Sequence, residues 1–124
     1  MKPFDVSDIE ENLKRGMLEM LILKALCEED LYGYEMADII NSKSGGKINI
    51  KEGSLYGPLY RLIDKNCISE NKVLVGKRRT RIYFHIEERG REYLQMLTEV
   101  YLRMNEGVMQ FISEKETTNE QDQQ

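Results

Sequence analysis

From Leu13 to Cys27 the chain places apolar side chains at 13, 17, 18, 20, 21, 22, 23, 25 and 26. That set covers most of a helix circumference, so this first helix must be buried on more than one side. A small domain covers one side; the other calls for a partner surface. The acidic triplet Glu28-Glu29-Asp30 interrupts the run. A second helix opens at Leu31-Tyr32-Gly33-Tyr34, with Tyr34, Met36, Ala37, Ile39 and Ile40 as its apolar positions. Ser44-Gly45-Gly46 is its stop signal, and Ile48-Asn49-Ile50 follows as a short extended piece. A third helix is predicted from about Glu52 to Asn66, where Leu55, Leu59, Leu62 and Ile63 fall on one face. Pro58 lies inside it and predicts a slight kink.

Two extended runs come next, Cys67–Val75 and Thr80–Ile86, joined by Gly76-Lys77-Arg78-Arg79. In the second run Ile82, Phe84 and Ile86 alternate with Arg81, Tyr83 and His85, the period of a half-buried strand. The pair reads as a hairpin with a basic tip. The last helix spans about Glu88 to Ser113. Tyr93, Leu97, Val100, Met104 and Phe111 form a heptad-like seam, and Leu94, Tyr101 and Val108 form a second stripe. Such a seam suits association with another helix, including one from a second chain. Residues 1–12 are polar and read as a flexible segment, although Ser7 or Asp8 can cap a helix start. Residues 114–124 are rich in Gln and Glu and read as a disordered tail.

The fold class that follows is mainly α with a small β-hairpin: a winged helix-turn-helix over residues 13–87, then a dimerisation helix over 88–113. Hydrophobic residues at 40% and charged residues at 32% fit an ordinary globular chain. The longest apolar stretch, Met20 to Leu23, is far too short to span a bilayer. With no basic region and apolar run at its start, the expected location is the cytoplasm. Cys27 and Cys67 read as two small hydrophobes rather than a disulfide. A single histidine and no paired-cysteine spacing leave too few ligands for zinc, so neither metal nor cofactor is expected.

A net charge of −4 argues against a nucleic-acid partner until it is mapped. Both ends are acidic, whereas Lys43 to Arg81 holds ten Lys/Arg against three acids, a net of +7. Local charge governs affinity for phosphates. A helix that fits the major groove and a cationic hairpin tip that reaches the backbone make DNA the expected partner. The candidate contacts are Lys51 just before the third helix, Ser54, Tyr56, Gly57, Tyr60, Arg61 and Lys65 on it, and Lys77, Arg78, Arg79 and Arg81 on the hairpin. Arg61 suits a bidentate contact to guanine or to phosphate, and its position does not decide between them. Tyr56 and Tyr60 divide evenly between packing and phosphate contact. His85 reads as an exposed strand residue. Met17, Met20 and Leu21 on the first helix, with Leu97, Val100, Tyr101, Met104, Val108 and Phe111 on the last, are the candidate dimerisation residues. A winged module that binds protein without reading DNA is the competing class. No nucleophile-base arrangement or Gly-rich phosphate loop is readable, which argues against an enzyme.

The second-helix opening Leu31-Tyr32-Gly33-Tyr34-Glu35-Met36 and the run Gly53-Ser54-Leu55-Tyr56-Gly57-Pro58-Leu59-Tyr60-Arg61-Leu62 resemble the PadR family of bacterial regulators. Arg15-Gly16-Met17-Leu18-Glu19-Met20-Leu21-Ile22-Leu23 is similar to that family's first helix. Tyr83-Phe84 and Gly90-Arg91-Glu92 are similar to its passage from strand to last helix. The short tail resembles the subgroup with a single C-terminal helix. The resemblance implies a homodimeric repressor on a pseudo-palindromic operator in double-stranded DNA, with dimer contacts from the first and last helices. It also implies that a small aromatic or lipophilic effector can act near the dimer interface. A mode that stacks the ligand between tryptophans is unavailable, because the chain has no Trp. Lys51 stands where the family has a small capping residue, and Glu87 where it has a capping Thr. Lys51 opposes the helix dipole and Glu87 suits it.

Overall fold

The first apolar run folds as two helical pieces preceded by a third. The computed structural model describes residues 1–122, with side chains through residue 114. Helix α1 (Val6–Lys14) lies mostly in the segment expected to be flexible. Its cap is Asp5 rather than Ser7 or Asp8: the Asp5 carboxylate accepts from the Ser7 N–H at 2.9 Å. At its far end Lys14 is buried, donates to the Asn49 carbonyl and pairs with Glu11 at 2.7 Å. These anchors order a segment whose composition alone does not. A 3-10 turn over Arg15–Met17 leads into α2 (Leu18–Ala25). Leu18, Ile22 and Leu23 of α2, with Leu26 after it, are buried, while Met17, Met20, Leu21 and Ala25 stay half-buried. The two-sided helix is thus covered on only one side by its own unit.

Helix α3 (Gly33–Lys43) begins two residues later than the pattern suggested. Leu31 is extended instead, exchanging hydrogen bonds with Phe84 at 3.3 and 2.8 Å. The Tyr32 N–H donates to the Glu35 side chain at 3.3 Å, which closes the start of the helix. The helix stops as expected: Gly45 and Gly46 take φ of +69° and +75°, and the Gly46 N–H donates to the Asn41 carbonyl at 3.0 Å. The Asn41 amide then clamps Ile50 from both sides, donating to its carbonyl at 2.9 Å and accepting its N–H at 2.7 Å. Side-chain clamping, rather than strand pairing, holds the short piece expected to be extended.

The expected kink of the third helix has a different form. A 3-10 turn over Glu52–Leu55 precedes α4 (Tyr56–Asp64), so the irregularity lies ahead of Pro58. Pro58 occupies the first turn of α4, where a missing N–H costs least. Leu55, Pro58, Leu59 and Leu62 are buried. Asn66 ends α4 in the left-handed region at φ 61°, and the Cys67 N–H donates back to Leu62 at 2.9 Å. Strand β1 (Ile68–Val75) pairs antiparallel with β2 (Arg79–Ile86), from Ile68 opposite Ile86 to Val75 opposite Arg79. Gly76-Lys77-Arg78 forms the loop, with Gly76 at φ +77°. Helix α5 (Glu88–Asp122) runs beyond Ser113. The side chains of the tail expected to be disordered lie, past residue 114, outside the described residues, as do residues 123–124 entirely.

The chain divides into two units, Met1–Leu94 and Gln95–Gln124. The core of the first gathers Leu18, Ile22, Leu23 and Leu26 with Leu31, Met36 and Ile40. Leu55, Leu59, Leu62, Phe84 and Ile86 complete it. Cys67 belongs to this core and burial pushes its thiol pKa up, as befits a small hydrophobe. The start of α5 closes the unit through backbone. The Glu87 N–H donates to the Cys67 carbonyl at 2.9 Å, and a Cβ on Gly90 would stand 2.2 Å from that same oxygen. On either side, Arg89 Nε donates to the Lys65 carbonyl at 2.8 Å and Arg91 Nη2 to the Cys27 carbonyl at 3.0 Å. Each arginine thereby serves a carbonyl at the C-terminal end of a helix, where cations are favoured.

Gly90→Ala forces backbone apart here and is expected to destabilise by about 1–3 kcal/mol. Chemical denaturation measures this; a variant as stable as the parent would show that the junction yields freely.

Candidate nucleic-acid interface

The exposed side of α4 carries Gly57, Tyr60, Arg61 and Lys65, with Gly53 and a half-buried Ser54 and Tyr56 ahead of them. Burial of Leu55, Pro58, Leu59 and Leu62 fixes which residues those are, because the helix has a single apolar face. Lys51, just before the 3-10 turn, makes no capping bond with its side chain. Its carbonyl accepts both the N–H and the hydroxyl of Ser54, at 3.0 and 2.7 Å. The Ser54 proton is therefore committed within the chain.

Tyr56 is committed too. Its hydroxyl donates to Glu52 Oε1 at 2.7 Å, and that hydrogen bond with the nearby carboxylate pushes the phenol pKa up to about 12. A Cβ on Gly33 would stand 2.8 Å from the same hydroxyl. This contact joins the two tyrosine-glycine motifs: Gly33 must lack a side chain so that Tyr56 can lie across the start of α3. Tyr60 is more than half exposed and tilts against Tyr56 at 6.5 Å.

Arg61 and Lys65, one turn apart, both face Glu19 of α2. Arg61 Nε lies 4.0 Å from Glu19 Oε2, and Lys65 Nζ 2.9 Å from Oε1. Lys65 also donates to the Tyr93 hydroxyl at 3.1 Å and sits over that ring, and these partners raise its pKa. Lys65 is thus bound to α2 and α5 rather than standing clear of the domain. The Arg61 guanidinium lies back along its helix over Gly57, its Nη1 3.7 Å from where a Cβ would be.

On the hairpin, Lys77, Arg78 and Arg79 are exposed and have no ion-pair partner among the described residues. Arg81 differs. Its guanidinium lies 4.3 Å from the centre of the Tyr32 ring, which meets Tyr83 edge-on at 5.5 Å and stacks on Tyr34 at 6.5 Å. His85 Nδ1 lies 2.7 Å from Asp30 Oδ1. Arg81, Tyr83 and His85 therefore fasten the hairpin to the segment before α3, and His85 has a partner that the strand pattern did not reveal.

Of the candidate dimerisation residues, Met17, Met20 and Leu21 are half-buried, as is Leu97. Val100, Tyr101, Met104, Val108 and Phe111 are exposed along α5, Phe111 to 77%. A groove of about 330 Å³ beside α2 is lined by Leu21, Lys24, Ala25, Ile39, Ile40 and Lys43. Among the described residues no helix is long and apolar enough to cross a membrane, and no three His, Cys, Asp or Glu side chains gather to hold a metal. Glu19, Lys14, Arg89 and Arg91 are the residues sequence reasoning missed; isolated charges at irregular spacing carry no local signal.

Helices α2, α3 and α4, a paired hairpin with a cationic tip and a following helix define a winged helix-turn-helix protein. Residues 22–96 match the transcriptional regulator PadR-like family. The chain belongs to that family, whose members regulate transcription rather than catalyse reactions. An uncharacterized protein of Lysinibacillus sphaericus is 31% identical over 98 residues, covering 79% of this chain and 90% of its own length. The structure of a transcriptional regulator from Clostridium thermocellum superposes with a TM-score of 0.74 at 28% identity, over 82% of this chain and 98% of that one. Bacillus subtilis PadR, solved in complex with operator DNA, has a TM-score of 0.59 at 22% identity. It covers 64% of this chain, which spans 44% of it, and at that identity shows the shared fold alone.

The Tyr56–Glu52 bond sets a pH dependence. Because the folded pKa is raised, its contribution is complete below the ordinary tyrosine value of about 10 and is lost as pH rises through about 12. The ultraviolet titration of the parent minus that of Tyr56→Phe is expected to show a phenol ionising near 12. A difference curve centred on the ordinary value would remove the bond from solution.

Proposed function

We propose that this chain is a homodimeric repressor that binds a pseudo-palindromic operator. In this reading α4 of each copy enters the major groove and the hairpin tip grips the adjacent backbone. The observation that carries it is the hairpin tip, where Lys77, Arg78 and Arg79 project without ion-pair partners. Cations held clear of the domain's own carboxylates are suited to phosphates. Tyr60 and Arg61, exposed on α4 with Gly57 allowing close approach, face the duplex in this reading, and Lys51 flanks them. Lys65, Ser54, Tyr56 and Arg81 serve this surface from behind, through the bonds that hold α4 and the hairpin in place.

Dimerisation is supported by α5. An exposed apolar series from Val100 to Phe111 on a single helix is unfavourable in water and favours a second copy. The half-buried Met17, Met20 and Leu21 offer a matching surface on α2. A small aromatic or lipophilic effector acting at that interface would alter the separation of the two α4 helices, about 34–36 Å on adjacent major grooves.

Selection of bound duplexes from a random pool by the purified chain tests the reading. Recovered sites are expected to be two-fold symmetric, with half-sites about one helical turn apart. Recovery of no enriched duplex would assign the module to protein partners instead. Arg61→Ala is expected to cost about 1–3 kcal/mol of binding, confined to the operator if it reads a base and equal on all duplexes if it holds a phosphate. Lys77→Ala is expected to weaken all sequences alike and to flatten the salt dependence by about 0.9 in slope. Phe111→Asp is expected to shift the sedimenting species from dimer to monomer; an unchanged dimer would place the interface elsewhere.

A further inference from the structure

A cleft of about 190 Å³ separates the N-terminal helical arm from α4, lined by Glu11, Lys14, Arg15, Ser54 and Arg61 and by the apolar Leu18 and Pro58. Three of those seven are cations and one is an anion. Glu11 pairs with Lys14 at 2.7 Å and also feels the charges of Lys51 and Arg15. Lys14 also donates to Asn49 and so holds the arm on the turn that leads to α4. The Ser54 proton is used on Lys51. What remains is a pair of guanidiniums, Arg15 from the 3-10 turn and Arg61 from α4.

Their terminal nitrogens are available. The Arg15 side chain is exposed and makes no ion pair with another described residue, Glu11 acting on it only at longer range. Arg61 approaches Glu19 only through Nε, at 4.0 Å, while the other carboxylate oxygen is held by Lys65 at 2.9 Å. Guanidinium groups bind phosphate through paired N–H donors, which an ammonium or a hydroxyl cannot match. Glu11 opposes any small free anion here, whereas a phosphodiester on a duplex seated against α4 arrives with many further contacts that offset the repulsion.

We propose that this cleft takes a backbone phosphate of bound DNA, held between Arg15 and Arg61. The inference rests on the DNA-binding reading and goes beyond it in two ways. It assigns Arg61 to the backbone rather than to a base edge. It also adds Arg15, which lies outside residues 22–96, as a DNA contact supplied by the N-terminal arm.

The test uses the full chain, the duplex recovered by selection and an unrelated duplex, with binding isotherms over a range of KCl concentrations. Arg15→Ala is expected to weaken both duplexes about tenfold at low salt and to flatten the slope of log K against log salt, the full change of about 0.9 for one phosphate being reached only when Arg61 is replaced as well. Arg15→Lys is expected to keep the slope, since the charge stays, and to lose part of the affinity. The double variant with Arg61→Ala is expected to lose less than the two single losses combined, because both groups serve one phosphate. Should Arg15→Ala melt earlier than the parent, Arg15→Gln takes its place with the same expectations. A parent that binds DNA and an Arg15 variant that binds it equally well, with equal slope, overturns the cleft and leaves the DNA reading standing. A loss confined to the selected duplex also overturns it, as does strict additivity with Arg61→Ala. A parent that binds neither duplex removes both readings together.

Discussion

Gly90 comes so close to the Cys67 carbonyl that a Cβ on it would stand 2.2 Å from that oxygen, and the geometry of the domain depends on this approach. That oxygen already accepts the Glu87 N–H, so the start of α5 is seated directly on the residue joining α4 to β1. Once seated, the arginines flanking Gly90 reach the ends of two different helices, Arg89 to α4 and Arg91 to α2. Both bonds need the same depth of insertion, and any side chain at residue 90 would prevent it. Glu19, Lys65 and Tyr93 then complete a polar seam linking α2, α4 and α5 on the exposed side. The orientation of α4 is therefore determined by backbone contact and charged caps as much as by its leucines.

Much of this architecture was legible in the chain. Alternation of Ile82, Phe84 and Ile86 gave the hairpin to within a residue of the observed strands, and Ser44-Gly45-Gly46 marked the end of α3. These are local signals, readable because period and turn chemistry act over a few residues. Errors arose where a distant partner overrode the local pattern. Leu31 looked helical beside Tyr34 and Met36, yet bonds to Phe84 more than fifty positions away. Residues 1–12 looked loose, yet most of them fold into α1, anchored where Lys14 finds Asn49 and Glu11. Pro58 was read as a helix interior because the 3-10 turn ahead of it leaves no trace in hydrophobic spacing.

The candidate interface was legible as composition and not as geometry. Ten cations in one segment pointed to phosphates, but counting charge does not say which are free. Lys77, Arg78 and Arg79 are; Lys65 and Arg81 have acquired partners from elements that are remote in sequence, Glu19 and Tyr93 for one and the Tyr32 ring for the other. Arg15 is the converse case. It lies outside that cationic segment, between Lys14 and Gly16, while folding carries it to the flank of α4.

The hairpin's outer edge has a consequence of a different kind. Only Phe84 of β2 is bridged on that side, so toward the tip its N–H and C=O groups line an open rim, as do those of β1. Unprotected rims recruit strands from neighbouring molecules, and this one also displays Leu74 and Val73. Arg79, Arg81 and Lys72 interleave with those apolar groups and repel an incoming identical strand. Positive charge at the tip therefore opposes self-association through this rim, and the same charge is the one that the proposed function directs at a polyanion.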